Sequence, residues 1–223
     1  QASFGLGYGT RLIDGERLIQ HIIKQRYFEE EISNEVNLSY SDNQVTVTTD
    51  YLTLVYTLNS EGYASQCVYS LSSQNRIYQF SYSAEGYLTG IVENIDDTEY
   101  SSTSLTYENG DITSISSKMN GLENKFIYEP GEESSTYHLP CLGLLEIHPL
   151  TFHIEALYAG LLGKDPRHFT IRSCPAGSND EKTVYSYGFD KKGNPSRMIC
   201  QTTYAGGQAS YYPYTRNISI SFE

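Results

Sequence analysis

VYTLNSEGYASQCV (residues 55–68), QFSYSAEGYLTGIV (79–92) and TSLTYENGDITSIS (103–116) decide the fold of this chain. Each carries a glycine at a matching place, Gly62, Gly86 and Gly110, 24 residues apart each time (86 − 62 and 110 − 86). In LNSEG (58–62) and YSAEG (82–86), Asn59 and Ser83 open a four-residue turn, where a short polar side chain caps backbone N–H groups. Glycine ends each turn, where φ is free to become positive, and the combination closes a hairpin with a bulge. Asn109-Gly110 is the two-residue version. NKFIYEPG (124–131) and SYGFDKKGNPSRMI (186–199) are looser copies, with turns expected at Gly131 and around Asp190 and Gly193.

Before each glycine the apolar positions alternate: Leu54/Tyr56/Leu58, Tyr78/Phe80/Tyr82 and Tyr185/Tyr187/Phe189. The shorter turns shift this by one, to Leu105/Tyr107 and Phe126/Tyr128. A period of two packs one strand face and leaves the other to water or a second layer. After the glycine the apolar places fall at +2 and +5, as Ala64/Cys67, Leu88/Ile91 and Ile112/Ile115. That spacing breaks alternation and predicts a bulge or burial on both faces. Hairpins that cannot bury their own faces singly imply a continuous meander.

Turns such as YSAEGYLTGI and FDKKGNPSRM resemble the tyrosine-aspartate repeats of large secreted bacterial shell proteins. The order of the whole chain more closely resembles a family of uncharacterised Bacteroidetes envelope proteins, mostly predicted lipoproteins, described as a domain of unknown function with a porin-like fold. The hairpins from Tyr51 to Gly131, the segment Ala159 to Lys164 (AGLLGK) and the hairpin around Gly193 carry this resemblance. It implies a fold and a Gram-negative envelope location, periplasmic or outer-membrane-anchored and extracellular. It assigns no functional residue.

Length and composition fit one domain over residues 1–223 with a sizeable core. Twenty-one tyrosines against eight phenylalanines and no tryptophan, in short polar-punctuated runs, favour strands. The net charge of −12 argues against nucleic acid or anionic lipid as a partner. The chain starts at Gln1, which reads as a processed or trimmed form. No signal-peptide pattern and no apolar run near the roughly 20 residues of a membrane helix is present. The expectation is a soluble, non-spanning chain, with any lipid anchor upstream of Gln1. Cys67, Cys141, Cys174 and Cys200 lack metal-knuckle spacing. Cys141–Cys174 and Cys67–Cys200 disulfides and buried thiols all remain open.

Gly5, Gly7 and Gly9 lie in residues 1–15, read as a flexible leader because no strand–loop–helix context makes them a nucleotide loop. Leu18, Ile19, Ile22 and Ile23 fit a first strand or a short helix. Glu29 to Glu31 read as a solvated turn, and Asp96, Asp97 and Glu99 as a solvated loop rather than a calcium site. Residues 132–172 form an insertion in which Leu150, Ile154, Leu157 and Leu161 make one helical stripe, ended by Gly163 and Asp165-Pro166. This predicts a helix around 150–162 that covers the open face of a strongly curled sheet or enters its mouth. A further hairpin is expected near Gly206-Gly207.

No catalytic constellation stands out. His148 and His153 are five apart, the wrong spacing for two ligands on one helical face. His138 and Cys141 lack a third group to complete a nucleophile and base. No metal or cofactor is expected. Tyr211, Tyr212 and Tyr214 around Pro213 are the candidate ligand-binding residues, because exposed tyrosine stacks on sugars or peptides. The expected fold is all-β: one antiparallel up-and-down meander of about 12 to 14 strands, strongly curled or barrel-like, with one covering helix. The leading function is a non-catalytic envelope binding or interaction module for a glycan or a protein. The alternatives are a hydrolase whose carboxylates meet from distant strands, and a structural spacer.

Overall fold

The computed structural model describes residues 7–14, 17–27, 30–71, 74–135, 144, 147–178, 180–189, 191, 195–203 and 214–219. Its strands are β1 (Gly7–Asp14), β2 (Arg17–Tyr27), β3 (Glu30–Tyr40), β4 (Gln44–Thr48) and β5 (Thr53–Leu58). Next come β6 (Ala64–Leu71), β7 (Gln74–Tyr82), β8 (Leu88–Ile95), β9 (Thr98–Glu108), β10 (Asp111–Met119) and β11 (Leu122–Ser134). After the insertion follow β12 (His168–Pro175), β13 (Lys182–Phe189), β14 (Pro195–Thr203) and β15 (Tyr214–Ser219). All fifteen form one sheet in sequence order, and every ladder is antiparallel. Among the described residues no ladder joins β15 to β1, so the sheet is an open meander and the expected barrel closure is not found.

The local chemistry of the turns follows the sequence closely. Asn59 Oδ1 accepts from the N–H groups of Glu61 (3.0 Å) and Tyr63 (2.9 Å), and Ser83 Oγ from those of Glu85 (3.2 Å) and Tyr87 (3.3 Å). Gly62, Gly86 and Gly110 have φ of 85°, 92° and 89°. The register slips by one residue after each turn, so Ala64/Cys67, Leu88/Ile91 and Ile112/Ile115 all face the core. At each slip a hydroxyl donates to a carbonyl across the ladder: Ser65 to Thr57 (3.1 Å), Thr89 to Ser81 (3.1 Å) and Thr113 to Thr106 (3.2 Å). The bulge thus satisfies a carbonyl that the ladder leaves aside.

Several expectations are corrected. β1 occupies part of the stretch read as a leader, and the strand reading of Leu18 to Ile23 holds in β2. Glu30 and Glu31 begin β3 rather than a turn. Asp96-Asp97 is a two-residue hairpin turn with φ of 48° and 63°, and Asp96 Oδ1 accepts from Asn75 N–H at 3.2 Å. Gly131 is not a turn but lies inside β11, because Asn120-Gly121, both at positive φ, make the β10–β11 hairpin instead. A Cβ at Gly131 would stand 2.7 Å from Ile171 Cγ2, so the glycine serves close strand approach. The β13–β14 hairpin exists, while Asp190, Gly193 and Gly206-Gly207 lie outside the described residues.

The single helix expected over 150–162 is a 3₁₀ turn, Leu150–Phe152, followed by the five-residue α1, Ile154–Tyr158. Its apolar stripe still works: Leu150, Leu157 and Leu161 join the buried cluster that includes Tyr56, Tyr78, Ile91 and Ile115 from the sheet. The sheet must curve to meet it. Flat, β3 and β10 would stand about 34 Å apart, seven strand spacings. Yet His148 O lies within hydrogen-bonding distance of the Thr103 and Ser117 hydroxyls on β9 and β10, while Thr151 to Glu155 share a cleft with Val36 and Val47 on β3 and β4. From 148 to 155 a helical path rises only about 10–14 Å.

Beyond α1 the chain becomes a strap over the hairpin ends. Ala64 N–H donates to Leu161 O (2.7 Å), Lys164 N–H to Gly86 O (2.9 Å) and Arg167 N–H to Gly110 O (2.9 Å). The strap advances three residues for every hairpin it crosses. Three extended residues span about 9–10 Å, the width of the two strands in one hairpin. Tyr63 and Tyr87 add a second row, each leaning on the next turn glycine, Gly86 and Gly110.

Candidate functional site

Two features stand out on the buried face of the sheet, one ionic and one open. The ionic one centres on Glu93, which faces inward from β8 and is fully buried. Arg76 Nη1 donates to Glu93 Oε1 at 3.1 Å, Ser101 Oγ donates to Oε2 at 2.7 Å, and His148 Nε2 meets the same Oε2 at 2.5 Å. Burial works to raise the Glu93 pKa. The hydrogen bonds of His148 and Ser101, with the charges of His148 and Arg76, outweigh it and hold the carboxyl below its ordinary range. Arg76 also lies 5.9 Å over the Tyr100 ring.

This arrangement anchors; it does not assemble a nucleophile. Ser101 and His148 both point at the carboxylate, whereas an activated serine needs the imidazole as its acceptor. Together with the His148 carbonyl contacts to Thr103 (3.2 Å) and Ser117 (3.3 Å), the cluster fixes the start of the insertion on β8–β10. His153 fixes it further along. Completely buried, its ring meets Tyr78 (4.4 Å between centroids), Phe80 (5.3 Å) and Tyr56 (5.7 Å) edge-on. Its Nδ1 bonds the Tyr56 hydroxyl at 2.8 Å, and Nε2 has no partner among the described residues. Burial pushes the imidazole down to about 3, so it packs as a neutral ring. Burial also raises the neighbouring Cys67 thiol to about 12, leaving it an inert core group.

The open feature is a cleft of ≈ 390 Å³ between the β4–β5 turn (residues 49–52) and residues 151–155. Val36, Val47, Leu54 and Tyr69 line it from the sheet, and Phe152, Ile154 and Glu155 from the insertion. Thr49 shapes the turn: its hydroxyl accepts from the N–H groups of Tyr51 (3.2 Å) and Leu52 (3.1 Å). The turn in consequence holds Tyr51 outward, 84% exposed, while Phe152 across the cleft is 42% exposed. Glu35 also borders the cleft, but its carboxylate lies with Asn37 on the face of β3 opposite Val36, accepting from Gln20 Nε2 at 2.9 Å and Asn37 Nδ2 at 3.0 Å. Asp50 and Glu155 complete the lining.

Of the residues singled out in the sequence, Tyr211 and Tyr212 lie outside the described residues, and Tyr214 opens β15 opposite Thr202. His138 and Cys141 also lie outside them. His148 and His153 go separate ways, to Glu93 and to Tyr56. Cys67, Cys174 and Cys200 are thiols, and β6 and β14 are not neighbours, so the Cys67–Cys200 bridge between adjacent strands does not form. The Glu93–Arg76 pair escaped notice although a signal existed. Glu93 follows Ile91 in the inward register and Arg76 precedes Tyr78, so each puts a charge on an apolar face.

A fifteen-stranded open meander filled by its own insertion can be set beside known families. Residues 13–197 match the family model described as "Domain of unknown function (DUF4595) with porin-like fold". The chain belongs to this family. Among solved structures, a porin-like protein from Bacteroides uniformis ATCC 8492 is similar to this DUF4595 chain. It has a TM-score of 0.84 and 26% identity, over 94% of this chain and 88% of that one. No curated protein matches. A porin-like fold shared with a Bacteroides protein is consistent with an envelope location, and among the described residues no helix is long and apolar enough to cross a membrane.

Proposed function

We propose that this DUF4595 domain is a non-catalytic binding module of the Gram-negative cell envelope, which holds a glycan or a segment of a partner protein in the cleft beside α1. The observation that carries this reading is the cleft itself: ≈ 390 Å³, open, with Tyr51 and Phe152 exposed at its mouth. Sites of this size and lining are typical of ligand pockets, and exposed aromatic rings on a rigid turn are typical contact residues. A hydrolase is less well supported, because the buried carboxylates that meet other ionisable groups among the described residues have their oxygens taken: Glu93 by Arg76, Ser101 and His148, and Asp111 by the backbone N–H and the imidazole of His168.

The polarity of the sheet supports a water-facing module. Ser65, Gln79, Ser81, Ser104 and Thr106 are exposed on its outer face, while Val45, Tyr56, Tyr78 and Ile115 are buried on the inner one. A membrane barrel carries its apolar band outside and its polar residues inside. The test is a glycan array and a peptide array probed with the wild-type domain and with Tyr51→Ala/Phe152→Ala. A retained ligand is expected to bind at least about tenfold more weakly to the variant, with the melting temperature unchanged. Undiminished binding by the variant, or turnover of the retained ligand, would overturn the reading.

A further inference from the structure

Asn-Gly occurs twice in the chain, at Asn109-Gly110 and Asn120-Gly121, and each copy closes a two-residue hairpin turn. The backbones match, with φ of 54° and 89° in the first and 52° and 79° in the second. In this dipeptide the asparagine side chain is open to attack by the backbone, because glycine places no Cβ in the way. We infer that Asn120 is a site of spontaneous deamidation to aspartate and isoaspartate, and that the fold protects Asn109 from the same reaction. The Gly121 backbone nitrogen attacks Asn120 Cγ. A C–N bond forms there, the side-chain amide C–N bond breaks, and the Gly121 N–H proton leaves with the amide as ammonia. Water then opens the resulting succinimide. Opening at one ring carbonyl gives aspartate; opening at the other gives isoaspartate, whose main chain runs through the former side chain.

What differs between the two turns is their surroundings. Attack requires the glycine nitrogen to swing toward the asparagine side chain, which opens the turn. At Gly110 that motion is opposed from three sides. Arg167 N–H donates to Gly110 O (2.9 Å), and a Cβ at Gly110 would stand 2.7 Å from the Tyr87 hydroxyl. The next residue, Asp111, accepts from the N–H of His168 (2.7 Å) and meets its imidazole (2.9 Å). At Gly121, apart from its chain neighbours, no atom lies within 4 Å of the Cβ position, and every residue from Lys118 to Lys125 is exposed. Local opening costs least in such an arm. Isoaspartate lengthens the main chain by a methylene, which a two-residue turn pairing Met119 with Leu122 does not accommodate. The modified tip frays and gains a negative charge, while Ile115 and Tyr128, both buried, hold the rest of the hairpin.

Peptide mapping by mass spectrometry tests this on the protein held at neutral pH and sampled over several weeks, with fragmentation that separates aspartate from isoaspartate. Unfolded in urea, the two dipeptides are expected to react at similar rates, because local sequence alone then governs them. In the folded protein Asn109 is expected to react at least about tenfold more slowly than Asn120. Hydrogen exchange of the aged protein is expected to quicken between Lys118 and Lys125 only, with the melting temperature unchanged. Equal rates at the two sites in the folded protein, or faster reaction at Asn109, would overturn the inference. So would an Asn120 that stays intact in the fold while both sites react in urea.

Discussion

Glu93 shows how a buried charge is made tolerable at the level of one residue. Its two oxygens receive a guanidinium, a hydroxyl and an imidazole, so each ligand lost leaves the others with an uncompensated partner. Glu93→Gln is expected to destabilise the domain by about 2–3 kcal/mol in urea denaturation. That is below the range for fully buried pairs, because Arg76 and His148 keep 22% and 27% exposure. Its pH signature has a definite sign. The carboxyl is held below its ordinary value of 4.5, so the unfolded chain binds the proton first. The contribution is complete above pH 4.5 and is lost as pH falls through the folded value; Glu93→Gln should flatten that acid limb. His153 acts at higher pH. Its ordinary value of 6.5 falls to about 3 on burial, so its contribution is present above pH 6.5 and drains away as pH drops toward 3. A His153→Leu variant should reduce the slope of stability against pH between these values by up to about 1.4 kcal/mol per pH unit. An unchanged slope would mean that the ring is not held neutral.

The hairpin and the strap that crosses it form the next scale. Ser65, Thr89 and Thr113 do the same work at three successive bulges, with hydroxyl–carbonyl distances of 3.1, 3.1 and 3.2 Å. Ser65→Ala, Thr89→Ala and Thr113→Ala should therefore cost similar amounts, about 0.5–1.5 kcal/mol each by urea denaturation. Costs that differ widely would show that the hairpins are not equivalent. The turn glycines separate backbone strain from packing. Gly62→Ala meets a positive φ but nothing within 4 Å, and should cost about 1–2 kcal/mol. Gly163→Ala adds a Cβ 2.7 Å from Gly86 O and 3.1 Å from Leu88 N at φ +88°, so the strap must lift; its cost should exceed that of Gly62→Ala by at least about 1 kcal/mol. These devices were unevenly legible in the sequence. The caps at Asn59 and Ser83 and the inward +2 and +5 positions could be read from local chemistry alone. The Asp96-Asp97 and Asn120-Gly121 turns do not sit at the glycine spacing and so carry no repeat signal, and Gly131 mimics a turn glycine because a close strand approach also demands glycine. The helix is shorter than its stripe: Leu150 to Leu161 is a true apolar face, but only Ile154–Tyr158 is α-helical, Leu150 lying in a 3₁₀ turn and Leu161 in the turn beyond.

For the whole molecule, the decisive fact is which face of the sheet is apolar. A meander of fifteen strands curls far enough to need a filling, and here the chain supplies it from Leu144 and residues 147–167, tied down by Glu93 at one place, His153 at another and the strap at the hairpin ends. None of these ties is visible in the sequence, because each joins residues some 55 to 97 positions apart, such as His148 with Glu93 and His153 with Tyr56. The cleft was hidden for the same reason: the turn at Tyr51 and the 3₁₀ segment at Phe152 become neighbours only after the insertion folds back. A consequence follows for membranes. On β4 to β10, Leu54, Tyr56, Tyr78, Ile91, Leu105 and Ile115 turn inward and Ser65, Gln79, Ser81, Ser104 and Thr106 outward, the reverse of a membrane barrel, while Ile127, Ile171, Val184 and Phe189 are exposed on β11 to β13; the charge of −12 disfavours anionic headgroups. In flotation with phosphatidylcholine/phosphatidylglycerol vesicles, the chain of residues 1–223 is expected to stay in the dense fraction at both low and high salt. Flotation that resists high salt would mean that apolar surface, on β11 to β13 or outside the described strands, enters the bilayer. That would reverse the water-facing reading of this fold.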